Sequence, residues 1–127
     1  MARILIIDDN TSVLATYRIM LEREGYEVVI ADDGNEGIRT FSEKPTDLVI
    51  TDIIMPEKEG LETIMELRRN FPDVKIIAIS GGAFLEPKDY LELAKQFGAM
   101  RTLTKPIEQE ELLETVQECL TLLKHTC

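Results

Sequence analysis

Residues 4–10 read Ile4-Leu5-Ile6-Ile7-Asp8-Asp9-Asn10, a continuous apolar run that stops on two carboxylates. Consecutive β-prone residues with no polar alternation fit a strand covered on both faces, as in a parallel sheet. The pattern recurs at Val28–Ala31, Leu48–Ile50 and Ile76–Ile79, with Met100–Thr104 as a weaker fifth strand. Helical periodicity fills the gaps. Val13, Leu14, Tyr17, Met20 and Leu21 share one helix face, and Gly25 stands where that helix would stop. Leu61, Ile64 and Met65 mark a helix closed by Pro72, and Leu112, Leu113, Val116, Leu120 and Leu123 mark the last one. Glu108, Glu110 and Glu111 suit the positive end of that last helix dipole. Weaker helical patterns cover Asn35–Ser42 and Pro87–Phe97. Strand and helix thus alternate five times, which predicts an α/β three-layer sandwich with a mostly parallel sheet and right-handed crossovers.

Length and charge narrow the function. At roughly 100–200 residues per domain, 127 residues make one domain, expected to span 1–127. The formal charge of −10 repels nucleic acid and anionic membrane, so direct DNA binding is not expected. No apolar run approaches the roughly 20 residues needed to cross a bilayer. The N-terminal apolar stretch is broken by Asp8 and Asp9, too early for a signal peptide. Cys119 and Cys127 lie eight residues apart in one expected helix, a rise of about 12 Å that no disulfide spans. A reducing, cytoplasmic setting is the simplest expectation.

In parallel sheets of this type the ligand site lies beyond the carboxyl ends of the strands. The residues found there are Asp8 and Asp9 after the first strand, Asp52 after the third, Ser80-Gly81-Gly82 after the fourth and Lys105-Pro106 after the fifth. Three carboxylates held together repel one another, and a hard divalent cation relieves the repulsion. All-oxygen ligands suit magnesium, which commonly recruits a phosphate. Lys105 adds a point charge for a phosphate oxygen, Ser80 a hydroxyl donor, and the glycines allow close backbone approach. The set is built for a phosphoryl group beside a metal. One carboxylate also has the option of acting as nucleophile and forming an aspartyl phosphate. Asp52 is the better candidate, because it stands alone at the end of a central strand while Asp8-Asp9 is a doublet suited to metal. Each residue alone has a bland reading: an Asp after a strand is usually a turn former or N-cap, and an isolated Lys-Pro is a turn. Their joint placement at four of five strand ends carries the argument.

Four blocks, Ile6-Ile7-Asp8-Asp9-Asn10, Asp52-Ile53-Ile54-Met55-Pro56 with Gly60, Ser80, and Lys105-Pro106, resemble the receiver domain of bacterial two-component response regulators, with its CheY-like fold. The resemblance covers essentially the whole chain. It implies strand order 2-1-3-4-5, five helices and a cis Lys105-Pro106 bond. It implies that Asp52 is the phospho-acceptor and that Asp9 and Asp52 bind Mg2+ directly, with Mn2+ as a substitute. Asp8 would act on the metal through water, and the backbone carbonyl of Ile54 would be a further ligand. Ser80 would be the hydroxyl that turns to the phosphoryl group and Lys105 the lysine that pairs with it. The implied donor is a phosphohistidine on a sensor histidine kinase or phosphotransfer protein. The implied output is a shape change on the face formed by the fourth helix, fifth strand and fifth helix, read by a downstream effector protein or domain. Two architectures fit, a stand-alone regulator or a receiver cut from a longer protein.

Two positions depart from the family pattern. An aromatic residue usually stands three positions before the lysine, where this chain has Thr102. Threonine is too small to swing between buried and exposed positions, which puts the usual read-out in question. Ile54 and Gly82 occupy the positions two after Asp52 and two after Ser80, and neither can orient a water by hydrogen bonding, so slow self-dephosphorylation is expected. Rival functions fit less well. A magnesium-dependent phosphatase with an aspartyl nucleophile usually carries a second aspartate where this chain has Ile54, and needs a cap that this chain lacks. A flavin binder needs hydroxyls and glycines in the first loop. A purely structural receiver would not need Asp9, Asp52 and Lys105 intact. The expectation is a switch and not a turnover enzyme. His125 suits a helix C-terminus, the methionines suit core filling, and Tyr90 and Phe97 share a face expected in the core. Phe84 is a candidate docking residue, and Glu57, Glu59, Glu62 and Glu66 read as a solvated acidic face.

Overall fold

The computed structural model describes residues 2–53, 60–81 and 87–121. Five strands and five helices alternate along the chain: β1 Arg3–Ile7, α1 Thr11–Arg23, β2 Glu27–Ala31, α2 Gly34–Glu43, β3 Leu48–Asp52, α3 Gly60–Asn70, β4 Ile76–Ser80, α4 Pro87–Phe97, β5 Arg101–Thr104 and α5 Gln109–Thr121. All strand pairs are parallel and the order across the sheet is β2-β1-β3-β4-β5, as the resemblance implied.

The period-two alternation of strand side chains divides the core in two. Leu5, Ile7, Val49, Ile76 and Ala78 face α2, α3 and α4, packing with Ile38, Phe41, Leu61, Ile64, Leu67 and Ala94. Ile4, Ile6, Leu48, Ile50, Ile77, Ile79 and Leu103 face α1 and α5, packing with Leu14, Tyr17, Leu21, Leu112, Val116 and Cys119. Each fully buried aliphatic side chain contributes about 1.5–3 kcal/mol of apolar transfer. The double covering holds for the inner strands, since β3 and β4 are buried along their whole length. It fails for β2, where Ile30 is 36% exposed. β2 is an edge strand, so its outer flank has no neighbour to complete the covering. Met65, placed by periodicity on the apolar face of α3, is exposed on the opposite flank, while Leu61, Ile64 and Leu67 fill the core. Phe97, expected in the core, packs partly buried against it. The side chain of Tyr90 lies outside the described part, as do Met55, Glu57, Glu59, Phe84, Leu123, His125 and Cys127.

Local signals set the helix ends. Asn10 caps α1, its side chain accepting from the backbone N–H groups of Ser12 and Val13 at 2.9 and 3.1 Å. At the far end Gly25, at φ 93°, donates to Glu22 O, and Tyr26 N–H donates to Leu21 O. That pair of bonds closes the helix in a Schellman turn, where the left-handed conformation favours glycine. Asp33 caps α2 by accepting from Glu36 N–H at 2.8 Å. At the rim opposite the carboxyl strand ends, Arg68 of α3 donates to Pro72 O at 2.5 Å and to Gly98 O at 2.6 Å. Burial lowers the pKa of that guanidinium from its usual value, partly offset by Asp73.

Candidate functional site

The sheet register brings the strand ends level. Ile7 pairs with Thr51, so Asp8 stands at the height of Asp52. Asp52 pairs with Ile79, and Ser80 pairs with Thr104, which puts Lys105 one residue above Ser80. Residues separated by up to 97 positions in sequence thereby meet at one rim. Carboxylate oxygens of Asp8, Asp9 and Asp52 all lie within 4.8 Å of one another. Lys105 Nζ donates to Asp8 Oδ2 at 3.1 Å and to Asp52 Oδ2 at 3.2 Å. Asp8 is 2% exposed and Asp52 7%, whereas Asp9 faces solvent.

Charge explains the arrangement. Partial burial works against the Lys105 ammonium, but Asp52 and then Asp8 outweigh it and hold its pKa above the ordinary value. One ammonium against three carboxylates still leaves negative charge in excess. Such a cluster of hard oxygen donors fits a small divalent cation. Asp8 also has the bland role expected of an aspartate after a strand, since its Oδ1 accepts from Asn10 N–H at 2.9 Å.

Ser80 is 1% exposed, and its Oγ has no hydrogen-bond partner among the described residues. A buried hydroxyl without a partner costs about 1–3 kcal/mol, so a ligand oxygen in reach would be strongly favoured. Tyr17 of α1, read from sequence only as a core residue, is buried beneath the same rim. Burial raises its pKa, and Lys105, Asp8 and Asp52 all act on it electrostatically. The Lys105–Pro106 bond is cis.

Glycines bring backbone and helix close to the site. Gly60 opens α3 directly against β3: its N–H donates to Ile53 O at 2.6 Å, and a Cβ there would fall 1.9 Å from Asp52 O. Gly81 lies against the stem of Lys105, a contact across 24 residues that no local pattern foreshadows. The Ile54 carbonyl, expected as a metal ligand, and Gly82 lie outside the described residues. Sequence reading also missed a second acidic group, Asp32, Asp33 and Glu36, whose ligand oxygens lie within 4.8 Å of one another. A hydrogen bond that protonated Glu36 donates to Asp32 raises the pKa of Glu36, and the group is partly exposed with Asp33 already engaged as a cap. A cleft of about 690 Å3 at the opposite rim, between Phe41, Phe71, Val74 and Leu120, contains none of the expected site residues.

The model of the response regulator receiver domain matches residues 4–117. The chain belongs to the response regulator receiver family. It is a phospho-accepting domain of the two-component type. Protein PilH of Pseudomonas aeruginosa is 32% identical over 120 residues, covering 94% of this chain and 98% of PilH. Transcriptional regulatory protein GlrR of Escherichia coli (strain K12) is 30% identical over 119 residues, covering 94% of this chain, which spans only 26% of GlrR. Among solved structures, response regulator protein TrrA from Thermotoga maritima superposes with a TM-score of 0.83 at 34% identity, covering 94% of this chain and 99% of TrrA. Among the described residues no helix is long and apolar enough to cross a membrane.

Proposed function

We propose that this receiver domain, spanning residues 1–127, takes a phosphoryl group from a phosphohistidine of a sensor histidine kinase or phosphotransfer protein onto Asp52. The observation that carries the reading is the meeting of Asp52 with Lys105 at 3.2 Å inside a three-carboxylate cluster beside the unpartnered Ser80 hydroxyl. Asp52 is the nucleophile: a carboxylate oxygen attacks phosphorus, the N–P bond breaks, and the imidazole leaves with its electron pair and takes a proton from solvent. Lys105 holds positive charge against the incoming phosphoryl oxygens. The phosphoryl group carries about 1.5–2 negative charges at neutral pH in place of the single charge of the Asp52 carboxylate, a gain of up to about one, and its oxygens offer Ser80 Oγ an acceptor. Ser80 and Lys105 both move toward the new oxygens, and the chain segments after β4 and β5 follow. Water later attacks phosphorus, the acyl O–P bond breaks, and inorganic phosphate leaves the free carboxylate behind.

Asp8, Asp9 and Asp52 would hold a divalent cation, Mg2+ by the hardness of the donors, with Mn2+ as a substitute. Bound there, it would supply charge neutralisation for the transferring group. TrrA was crystallised in complex with Mg2+–BeF, which supports the same assignment here. The domain acts as a stoichiometric switch and not as a turnover enzyme on external substrates. Its partners are the phosphodonor protein and an effector reading the α4–β5–α5 face, and it works in the cytoplasm without contacting nucleic acid directly.

Intact-mass spectrometry with a small phosphodonor and Mg2+ tests the proposal. Wild type gains one phosphoryl group and Asp52→Asn gains none. Equal labelling of Asp52→Asn, or catalytic turnover of phosphomonoesters, would overturn it.

A further inference from the structure

The cleft opposite the carboxylates lies under the amino ends of the strands. Ala2, Asp47 and Lys75, the residues before β1, β3 and β4, all line it. One wall belongs to the layer of α2 and α3, where Phe41 and Phe71 meet edge to face with ring centroids 4.8 Å apart. The other wall is Leu120 in the last turn of α5, which packs on the opposite layer. Its volume of about 690 Å3 falls within the roughly 300–1,000 Å3 of pockets that take up a ligand or a packed segment.

Chain direction, periodicity and charge point to one occupant. α5 delivers its end to the cleft, since Lys75 Nζ, at the start of β4, donates to Leu120 O at 3.4 Å. The residues that follow in sequence are Leu122-Leu123-Lys124-His125-Thr126-Cys127. Leu123 continues the apolar series of Leu112, Val116, Cys119 and Leu120. Three residues beyond Leu120 is the same side of a helix, with an axial rise of about 4.5 Å. Lys124 stands four beyond Leu120, again on the cleft side. The cleft offers it charge: Asp47 and Asp73 are exposed in its lining, while residues 122–127 carry no carboxylate side chain. Asp47 Oδ2 accepts from Arg3 N–H at 2.8 Å, and a carboxylate can accept at both oxygens.

We propose that residues 122–124 of this chain seat in the cleft, Leu123 against Phe71 and Val74, Lys124 toward Asp73 and Asp47. The seated segment covers apolar surface that the wall of Leu120 leaves open and ties the end of α5 to the turn before β4. The seat lies at the rim away from Asp52, so it acts on stability and on the placement of α5 and leaves the phosphoryl chemistry alone.

Nuclear Overhauser spectra and urea unfolding of the full chain test this. Wild type shows contacts from the Leu123 methyls to the Phe71 ring and the Val74 methyls, and keeps them on dilution. Lys124→Glu weakens those contacts, and Asp73→Lys in the same chain restores them. Leu123→Ala returns apolar surface to water and raises the unfolding equilibrium constant at least about tenfold. Its labelling at Asp52 by acetyl phosphate with Mg2+ proceeds at the wild-type rate. The inference is overturned by a wild type without contacts from Leu123 to the cleft, or by a Leu123→Ala variant within about twofold of wild type in unfolding. Contacts seen only between differently labelled chains assign the cleft to a second copy and also overturn it. Failure of wild type to label at Asp52 bears on the functional reading alone, since the seat is judged without phosphorylation.

Discussion

Gly60→Ala is the severest small substitution the structure offers near the site. The new methyl carbon would lie 1.9 Å from Asp52 O, 2.5 Å from Ile53 Cα and 2.7 Å from Asp52 C. All three are backbone atoms at the end of β3 and the residue after it, so no side-chain rotation relieves them. Restoring ordinary contact near 3.4 Å requires the start of α3 to retreat by about 1.5 Å from the 1.9 Å neighbour. That retreat breaks the bond from Gly60 N–H to Ile53 O and loosens Leu61 and Ile64 in the core. Overpacking of this kind costs typically about 1–3 kcal/mol, and a lost buried hydrogen bond adds about 1. The expected destabilisation is about 3 kcal/mol, a large share of the roughly 5–15 kcal/mol that holds a domain together. Gly37→Ala is the comparison: the three atoms nearest its Cβ all belong to the Ile7 side chain, Cδ1 at 2.3 Å, Cγ1 at 2.7 Å and Cγ2 at 3.5 Å, and none is backbone. It should cost about 1 kcal/mol. Urea unfolding followed by circular dichroism measures both. A Gly60→Ala variant no less stable than Gly37→Ala would refute the claim that α3 is seated on the backbone of Asp52. The fraction that stays folded should also label at Asp52 at least about tenfold more slowly, because the nucleophile is displaced.

Ser80→Ala should accept phosphoryl at Asp52 yet bind its effector more weakly in the phosphorylated state. It should also keep or raise stability, because it removes a buried hydroxyl without a partner; a loss above about 1 kcal/mol would show that the hydroxyl is bonded in solution. Mg2+ at about a hundred times its dissociation constant should raise unfolding free energy by about 2.7 kcal/mol, and Asp9→Asn should remove most of that gain. Burial pushes the Cys119 thiol up to about 11, against an ordinary value near 8.5. The folded state therefore holds the proton between those values, and stability contributed by Cys119 falls as pH rises from about 8.5 to 11. In a Cys127→Ser background at pH 8, Cys119 should resist iodoacetamide until the chain unfolds; rapid alkylation of folded protein would contradict the burial.

Strand positions and their carboxyl ends were legible because β1, β3 and β4 are buried on both faces and leave unbroken apolar runs. α4 was read at its observed limits of Pro87 and Phe97 from a weak pattern. The joint placement of Asp8, Asp9, Asp52, Ser80 and Lys105 followed from topology alone, since parallel strands deliver their carboxyl ends to one rim. The cis Lys105–Pro106 bond came only from resemblance. What escaped was set by distant neighbours. Ile30 is half-uncovered because β2 is an edge, and Met65 because its side of α3 faces away from the sheet. Gly81 and Gly60 looked like loop and motif glycines, and their tight contacts with the Lys105 stem and the Asp52 carbonyl exist only once the fold has closed.

Arg68 joins the turn after α3 to the turn after α4 through a single guanidinium planted between Pro72 and Gly98. The two turns are thereby stitched together at the rim farthest from the phosphoryl chemistry, like pages bound along a spine. Any rearrangement that reached α3 and α4 from the opposite rim would have to pivot about this fastened end.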